Sequence, residues 1–165
     1  MPLIRCTQKL LKELKIKEFE ESTGECVLGN WYANLIEISG GRGVLFTNEK
    51  TLFSFLASDE SFLGTGFQKT FTTRLNYVLV EEGFDPGWVL DVCKEYRSAM
   101  FAKTASRSIL SVMNEIYRMF EVQVSLGGGF ERCDMSRITQ KVNKAPQNKL
   151  ECRSPLDILW DLLGQ

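Results

Sequence analysis

The sequence predicts an α+β fold: one domain over residues 1–165, with a mixed or antiparallel sheet of about four to five strands and roughly six helices packed against it. Residues 31–56, WYANLIEISGGRGVLFTNEKTLFSFL, set two apolar strand-like runs around a glycine turn and follow them with a capped apolar segment. Helical spacing of apolar residues recurs along much of the remaining chain. There is no regular βαβ alternation and no internal repeat, and no Pro/Ser-rich linker or charge block divides the 165 residues.

Leu3 to Cys6 is a short apolar strand, after which Thr7 caps a helix through Leu10, Leu11 and Leu14. Residues 16 to 29 form a charged, glycine-broken connection. Trp31 to Ile38 reads as a central strand, because Trp31, Ala33 and Leu35 on one face and Tyr32, Ile36 and Ile38 on the other are all apolar. Ser39-Gly40-Gly41-Arg42 tolerates positive φ, and Val44, Leu45 and Phe46 resume the run as the second arm of an antiparallel hairpin. Asn48 is an N-cap type with Glu49 near the positive helix end, so a short helix carrying Leu52, Phe53, Phe55 and Leu56 is expected next.

Gly64 and Gly66 mark a break before a helix bearing Phe67, Phe71, Leu75, Val78 and Leu79, with Gly83 at its left-handed end. Asp85-Pro86 starts a helix carrying Trp88, Val89, Val92 and Tyr96. Residues 98–103, SAMFAK, read as a strand, and Ser106 opens the longest helix, striped by Ile109, Leu110, Met113, Ile116, Tyr117 and Phe120 up to Gly127-Gly128-Gly129. Asp134 caps a polar helix through Ile138 and Val142 to Pro146, Leu150 to Arg153 returns as an edge strand, and Ser154-Pro155 starts the last helix.

Composition narrows the function classes. An apolar fraction of 44% and a charged fraction of 25% belong to a globular chain, long enough to bury roughly two-thirds of its unfolded surface, so disorder is excluded as the main state. Twenty basic residues against twenty-one acidic ones leave no global field to gather nucleic acid or an anionic membrane. Cys6, Cys26, Cys93, Cys133 and Cys152 contain no C-x-x-C pair and read as free thiols of a reducing cytoplasm. Zinc-ligand spacing is missing and the chain has no histidine, so neither a metal nor a cofactor is expected. The N-terminus turns charged at Arg5 and Lys9, and no stretch approaches the roughly 20 apolar residues that span a bilayer; a cytoplasmic protein without a membrane segment is expected.

The same blocks resemble a known family. RCTQKLL at 5–11, GNWYANL at 29–35, VLFTNEKTLFSFL at 44–56, AKTASRSILSVMNE at 102–115 and the NKAP and SPLDIL segments of the tail are similar to an uncharacterised bacterial single-domain family, a domain of unknown function. The resemblance spans nearly the whole chain. It implies relatives without implying a reaction, and it supplies no catalytic residues.

Two candidate binding sites emerge from the residues. Lys103, Thr104, Ser106, Arg107 and Ser108 gather cations and hydroxyls where the longest helix starts, and free backbone N–H groups there favour an anion. Arg107 would grip a phosphate or carboxylate through two bonds and Lys103 as a point charge; the plainer reading is that Ser106 or Thr104 caps the helix while both cations are solvated. The second set is Arg5, Asn30, Tyr32, Asn34, Thr47 and Asn48, which line a pocket if the first three strands are adjacent. Asn30 and Asn48 are also good turn residues, whereas Asn34 in a central strand requires buried partners.

Without histidine, Ser-His-Asp and Cys-His arrangements cannot form. Glu37, Glu81, Glu82, Glu115 and Asp134 make no diagnostic pair, which leaves metal-dependent phosphoester or nucleotide chemistry as the alternative reading. A nucleic-acid role ranks third: Lys141, Lys144, Lys149 and Arg153 lack interleaved aromatics, and the expected strand before Ser154 breaks any helix-turn-helix. The aromatic load, Trp31, Tyr32, Trp88, Trp160 and the phenylalanines, fills a core, a ligand cavity or a homo-oligomer interface, for which a dimer is the commonest closed form. The leading expectation is a non-catalytic accessory protein that binds a small, anionic molecule or a protein partner.

Overall fold

A computed structural model describes residues 2–21, 26–58 and 66–163. The strands are β1 (Leu3–Cys6), β2 (Trp31–Ile38), β3 (Gly41–Asn48), β4 (Ser54–Ser58) and β5 (Met100–Lys103). The helices are α1 (Gln8–Leu14), α2 (Phe67–Glu81), α3 (Pro86–Lys94), α4 (Arg107–Leu126), α5 (Met135–Asn143) and α6 (Pro155–Leu162). The sheet order is β4-β3-β2-β1-β5, with β2 in the middle as its two apolar faces require. β1 pairs in parallel with both β2 and β5, while β2–β3 and β3–β4 are antiparallel, so the sheet is mixed and the fold is α+β.

Local chemistry sets the boundaries of these elements. Thr7, Asp85, Ser106, Asp134 and Ser154 each accept a backbone N–H of the first helical turn, and Pro86 and Pro155 occupy first-turn positions where no donor is lost. Ile38 pairs with Gly41, leaving Ser39 (φ 51°) and Gly40 (φ 81°) as a two-residue loop with both φ values positive, the twist a tight hairpin needs. Gly83 (φ 99°) follows α2 in the left-handed region expected of it.

The period-two alternation of β2 separates two cores. Trp31, Ala33 and Leu35 join Ile4, Cys6, Val44, Phe46 and Phe55 on face one, under α1, α2, α3 and α6. Tyr32, Ile36 and Ile38 join Leu45 and Leu56 on face two, under Ile109, Met113, Ile116 and Phe120 of α4 and Ile138 and Val142 of α5. Face one holds an aromatic centre. Phe71 lies 4.9 Å from Phe46, 5.5 Å from Trp31, 5.9 Å from Phe55 and 5.4 Å from Tyr96, ring centre to ring centre.

Two sequence expectations are corrected. The short helix after Asn48 is instead a tight turn followed by strand β4, and Leu52 in that turn has φ 62°. Apolar residues at 52, 53, 55 and 56 imitate helical spacing, but they alternate between the two cores: Phe53 and Phe55 join face one, Leu52 and Leu56 face two. A strand buried on both faces loses the polar–apolar alternation that would distinguish it from a helix. The edge strand expected at Leu150–Arg153 is also absent. Asn148–Leu150 forms a 3-10 turn, Glu151 (φ 55°) and Cys152 (φ 64°) are left-handed, and pairing is confined to one bridge between Gln147 and Arg153. The break placed at Gly64, and Gly24 in the 16–29 connection, lie outside the described residues.

The exposed side of β4 is closed by α5. Asn143, fully buried, accepts from the Ser54 N–H at 2.8 Å and donates to the Ser54 carbonyl at 2.7 Å and to Thr139 O at 2.8 Å. One amide thereby supplies both partners that a further strand would offer Ser54.

Candidate functional site

β1 and β5 run side by side in the same direction, with Arg5 opposite Ala102 and Cys6 opposite Lys103, so both strands end at one level. The chain then leaves β1 into α1 on face one and β5 into α4 on face two. Adjacent parallel strands whose chains depart to opposite faces leave a crevice outside their carboxyl ends, which is where open sheets hold ligands.

A register row of polar side chains crosses face two toward this crevice: Ser54, Thr47, Tyr32 and Arg5 occupy paired positions on β4, β3, β2 and β1. The Thr47 and Ser54 hydroxyls satisfy each other at 2.8 Å. The buried Tyr32 hydroxyl accepts from the Ser106 N–H at 3.0 Å and so fixes where α4 begins. Arg5 donates from Nη1 to the Lys103 carbonyl at 2.9 Å, while its Nε is buried without a partner among the described residues. Asn34, one strand-face step beyond Tyr32, accepts from the Thr7 hydroxyl at 2.8 Å, which answers the requirement for a partner in mid-strand.

The structure divides both candidate sets. Arg5, Tyr32 and Asn34 sit together at the crevice, and Ser106, Arg107 and Ser108 border it on the first turn of α4. Lys103 contributes its carbonyl, but its ammonium lies 5.2 Å from the centre of the Phe19 ring, and its strand position pairs with Cys6 of face one. Thr104 lies between β5 and the Ser106 cap. Asn48 is fully buried in the β3–β4 turn, and Asn30 accepts from the Leu3 N–H at 2.9 Å; both hold backbone. Lys149, read in the sequence only as part of a basic run, donates to the Ser108 hydroxyl and brings a further cation to α4's first turn. Its approach depends on the 3-10 turn after α5, which no local pattern announced.

Sequence reasoning also missed a cavity of about 650 Å³ between the β2–β3 hairpin and the Gly128–Arg132 turn. Its glycine N–H groups close α4, with Gly127, Gly128 and Gly129 donating to Gln123, Ser125 and Val124, and Arg42 pairs with Glu13. Burial pushes the Cys6 thiol up, and Cys93 up to about 11, so both stay protonated at neutral pH and neither is an activated nucleophile. Among the described residues no three His, Cys, Asp or Glu side chains cluster as metal ligands, and no helix is long and apolar enough to cross a membrane. α5 and α6 pack on opposite faces of the sheet and so do not form a helix-turn-helix pair.

A family model described as a domain of unknown function, DUF6933, matches residues 3–158. The protein belongs to this family. The match extends from the first residue of β1 into α6, so the DUF6933 unit includes the whole sheet, the face-two core, the face-one core apart from Leu159 and Leu163, and every residue of the crevice. No curated protein matches the chain.

Proposed function

We propose that this DUF6933 protein is a non-catalytic, cytoplasmic binding protein for a small anionic molecule held in the crevice between the ends of β1 and β5. The observation that carries the reading is the divergence of the chain at that point beside the Arg5 guanidinium, whose buried Nε has no partner among the described residues. A carboxylate or phosphate oxygen there would complete Arg5, meet the open N–H groups of α4's first turn and face Arg107 and Lys149. The lack of histidine and the raised thiols support binding over catalysis. Five unpaired cysteines fit a reducing compartment.

Thermal melts with inorganic phosphate and pyrophosphate test the site, since a ligand that binds only the folded state raises Tm with concentration. Arg107→Ala is expected to leave Tm in buffer within about 1 °C, as an exposed surface change, and to abolish the anion-dependent rise. Lys103→Ala, on the other side of the sheet end, is expected to retain that rise. Equal shifts in the wild type and Arg107→Ala, or no shift with either anion, would overturn the proposal.

The reading includes self-association as a homodimer. α4 leaves Val122 52% and Leu126 80% exposed one turn apart, on a helix whose opposite stripe is core. Native mass spectrometry is expected to show a dimer that Leu126→Glu converts to monomer; a monomeric wild type at micromolar concentration would remove this part of the proposal.

A further inference from the structure

The turn between α2 and α3 meets α6 on face one, across the sheet from α4 and its crevice. There Gly83, Phe84, Asp85 and Trp88 join Trp160 in lining a cavity of about 530 Å³. Phe84 is buried and stacks on Trp160 at 3.9 Å with 24° between the ring planes, while Trp88 lies 6.0 Å from Phe84. Both indoles are only partly buried and remain reachable. Among the described residues no cation lies over either of them.

Asp85 is the charged residue among those that line the cavity. The segment from 81 to 88 carries Glu81, Glu82 and Asp85 without a lysine or arginine, and α6 carries Asp157 and Asp161 without one. Arg153 compensates Asp161 at 2.6 Å, and Lys144 faces Glu82. Asp85 uses one carboxylate oxygen to cap α3, accepting from the Trp88 N–H at 3.0 Å, and makes no ion pair among the described residues. A cavity walled by two indoles and a phenyl ring, with a carboxylate at its rim that makes no ion pair among the described residues, matches a cation whose charge is spread over alkyl groups. Such a cation gains from the negative ring faces and loses little hydration on entry. A strongly hydrated ion such as sodium or a primary ammonium would lose more.

We propose that the Phe84–Trp88–Trp160 cavity is a binding site for a small quaternary ammonium compound, oriented by Asp85. Trp31 is fully buried in the sheet core, so ligand-dependent changes in tryptophan fluorescence report Trp88 and Trp160. Titration with choline and with tetramethylammonium, at ionic strength held constant with sodium chloride, is expected to give saturable quenching. Asp85→Asn keeps an effective N-cap while removing the charge, and is expected to raise Kd at least about fivefold with Tm little changed. The neutral isostere 3,3-dimethylbutanol is expected to bind about fivefold or more weakly than choline, since it lacks the cation–π attraction. Trp88→Leu is expected to remove most of the response. Absence of saturable quenching, equal affinity for the neutral isostere, or an unchanged Kd in Asp85→Asn would each overturn the proposal.

Discussion

Asn48→Ala is expected to lower stability by about 3–4 kcal/mol, equivalent to roughly 10 °C in Tm for a domain of this size. The Asn48 side chain is fully buried and accepts from Lys50 N at 3.1 Å, from Thr51 N at 3.0 Å and from the Thr51 hydroxyl at 3.0 Å. Its amide nitrogen donates to Leu28 O at 2.8 Å, tying the approach to β2 onto the β3–β4 turn. Alanine removes every one of these partners and leaves Thr51 N and Leu28 O unpaired, each a desolvated polar group worth about 1–3 kcal/mol. The same turn forces Leu52 to φ 62°, a conformation that a bulky residue keeps only when its surroundings impose it. Thermal denaturation followed by circular dichroism reads the effect. A Tm within about 2 °C of wild type would mean that Asn48 does not hold this turn.

Phe71→Ala is expected to be at least as damaging, lowering stability by roughly 3–5 kcal/mol and Tm by roughly 10–15 °C. Phe71 is fully buried where α2 presses on face one, and its ring meets those of Trp31, Phe46, Phe55 and Tyr96. Truncation removes the transfer energy of the ring, opens a cavity among side chains fixed on β2, β3 and β4, and deletes four ring–ring contacts. Phe71→Leu, which retains most of the volume, is expected to fall well short of the alanine loss. Chemical denaturation of the two variants checks the order. Equal losses would show that volume at this position is not what the core requires.

Both residues were visible in the sequence, but only one with its role. Phe71 sits at helical spacing with Phe67, Leu75, Val78 and Leu79, and that spacing identified a buried stripe because a helix shows its period in a single segment. Asn48 read as a cap and is one in chemical terms, since its side chain accepts backbone N–H groups two and three residues on. The same Asn geometry serves a helix start and a turn, and what distinguishes them is whether the next residues are covered on one face or two. For residues 52–57 that depends on α5 and the rest of the sheet.

The crevice was legible in pieces. Arg5, Tyr32 and Asn34 stood out as polar residues in apolar strands, and Ser106 to Ser108 as a helix start, yet they appeared as two unrelated sets. They meet because β5, some ninety-five residues after β1 in the chain, pairs with it in parallel and delivers α4 to the sheet end. Lys103 shows the converse. Its neighbours in sequence predicted a shared site with Arg107, but a strand alternates its side chains and Lys103 falls on the side of Phe19.

What the sequence determined by itself was local: five side-chain helix caps, the Ser39–Gly40 turn, the two-sided burial of Trp31–Ile38 and the apolar stripes of α2 and α4. Each depends on residues within a few positions of one another, where hydrogen bonding, φ preference and periodicity act directly. Only the tertiary structure decided the strand order, the strand character of Ser54–Ser58, the partner of Lys149 and the joining of Trp88 with Trp160. The physical reason is that each of these depends on which distant surface covers a segment, and burial is a property of the assembled layers rather than of the segment itself.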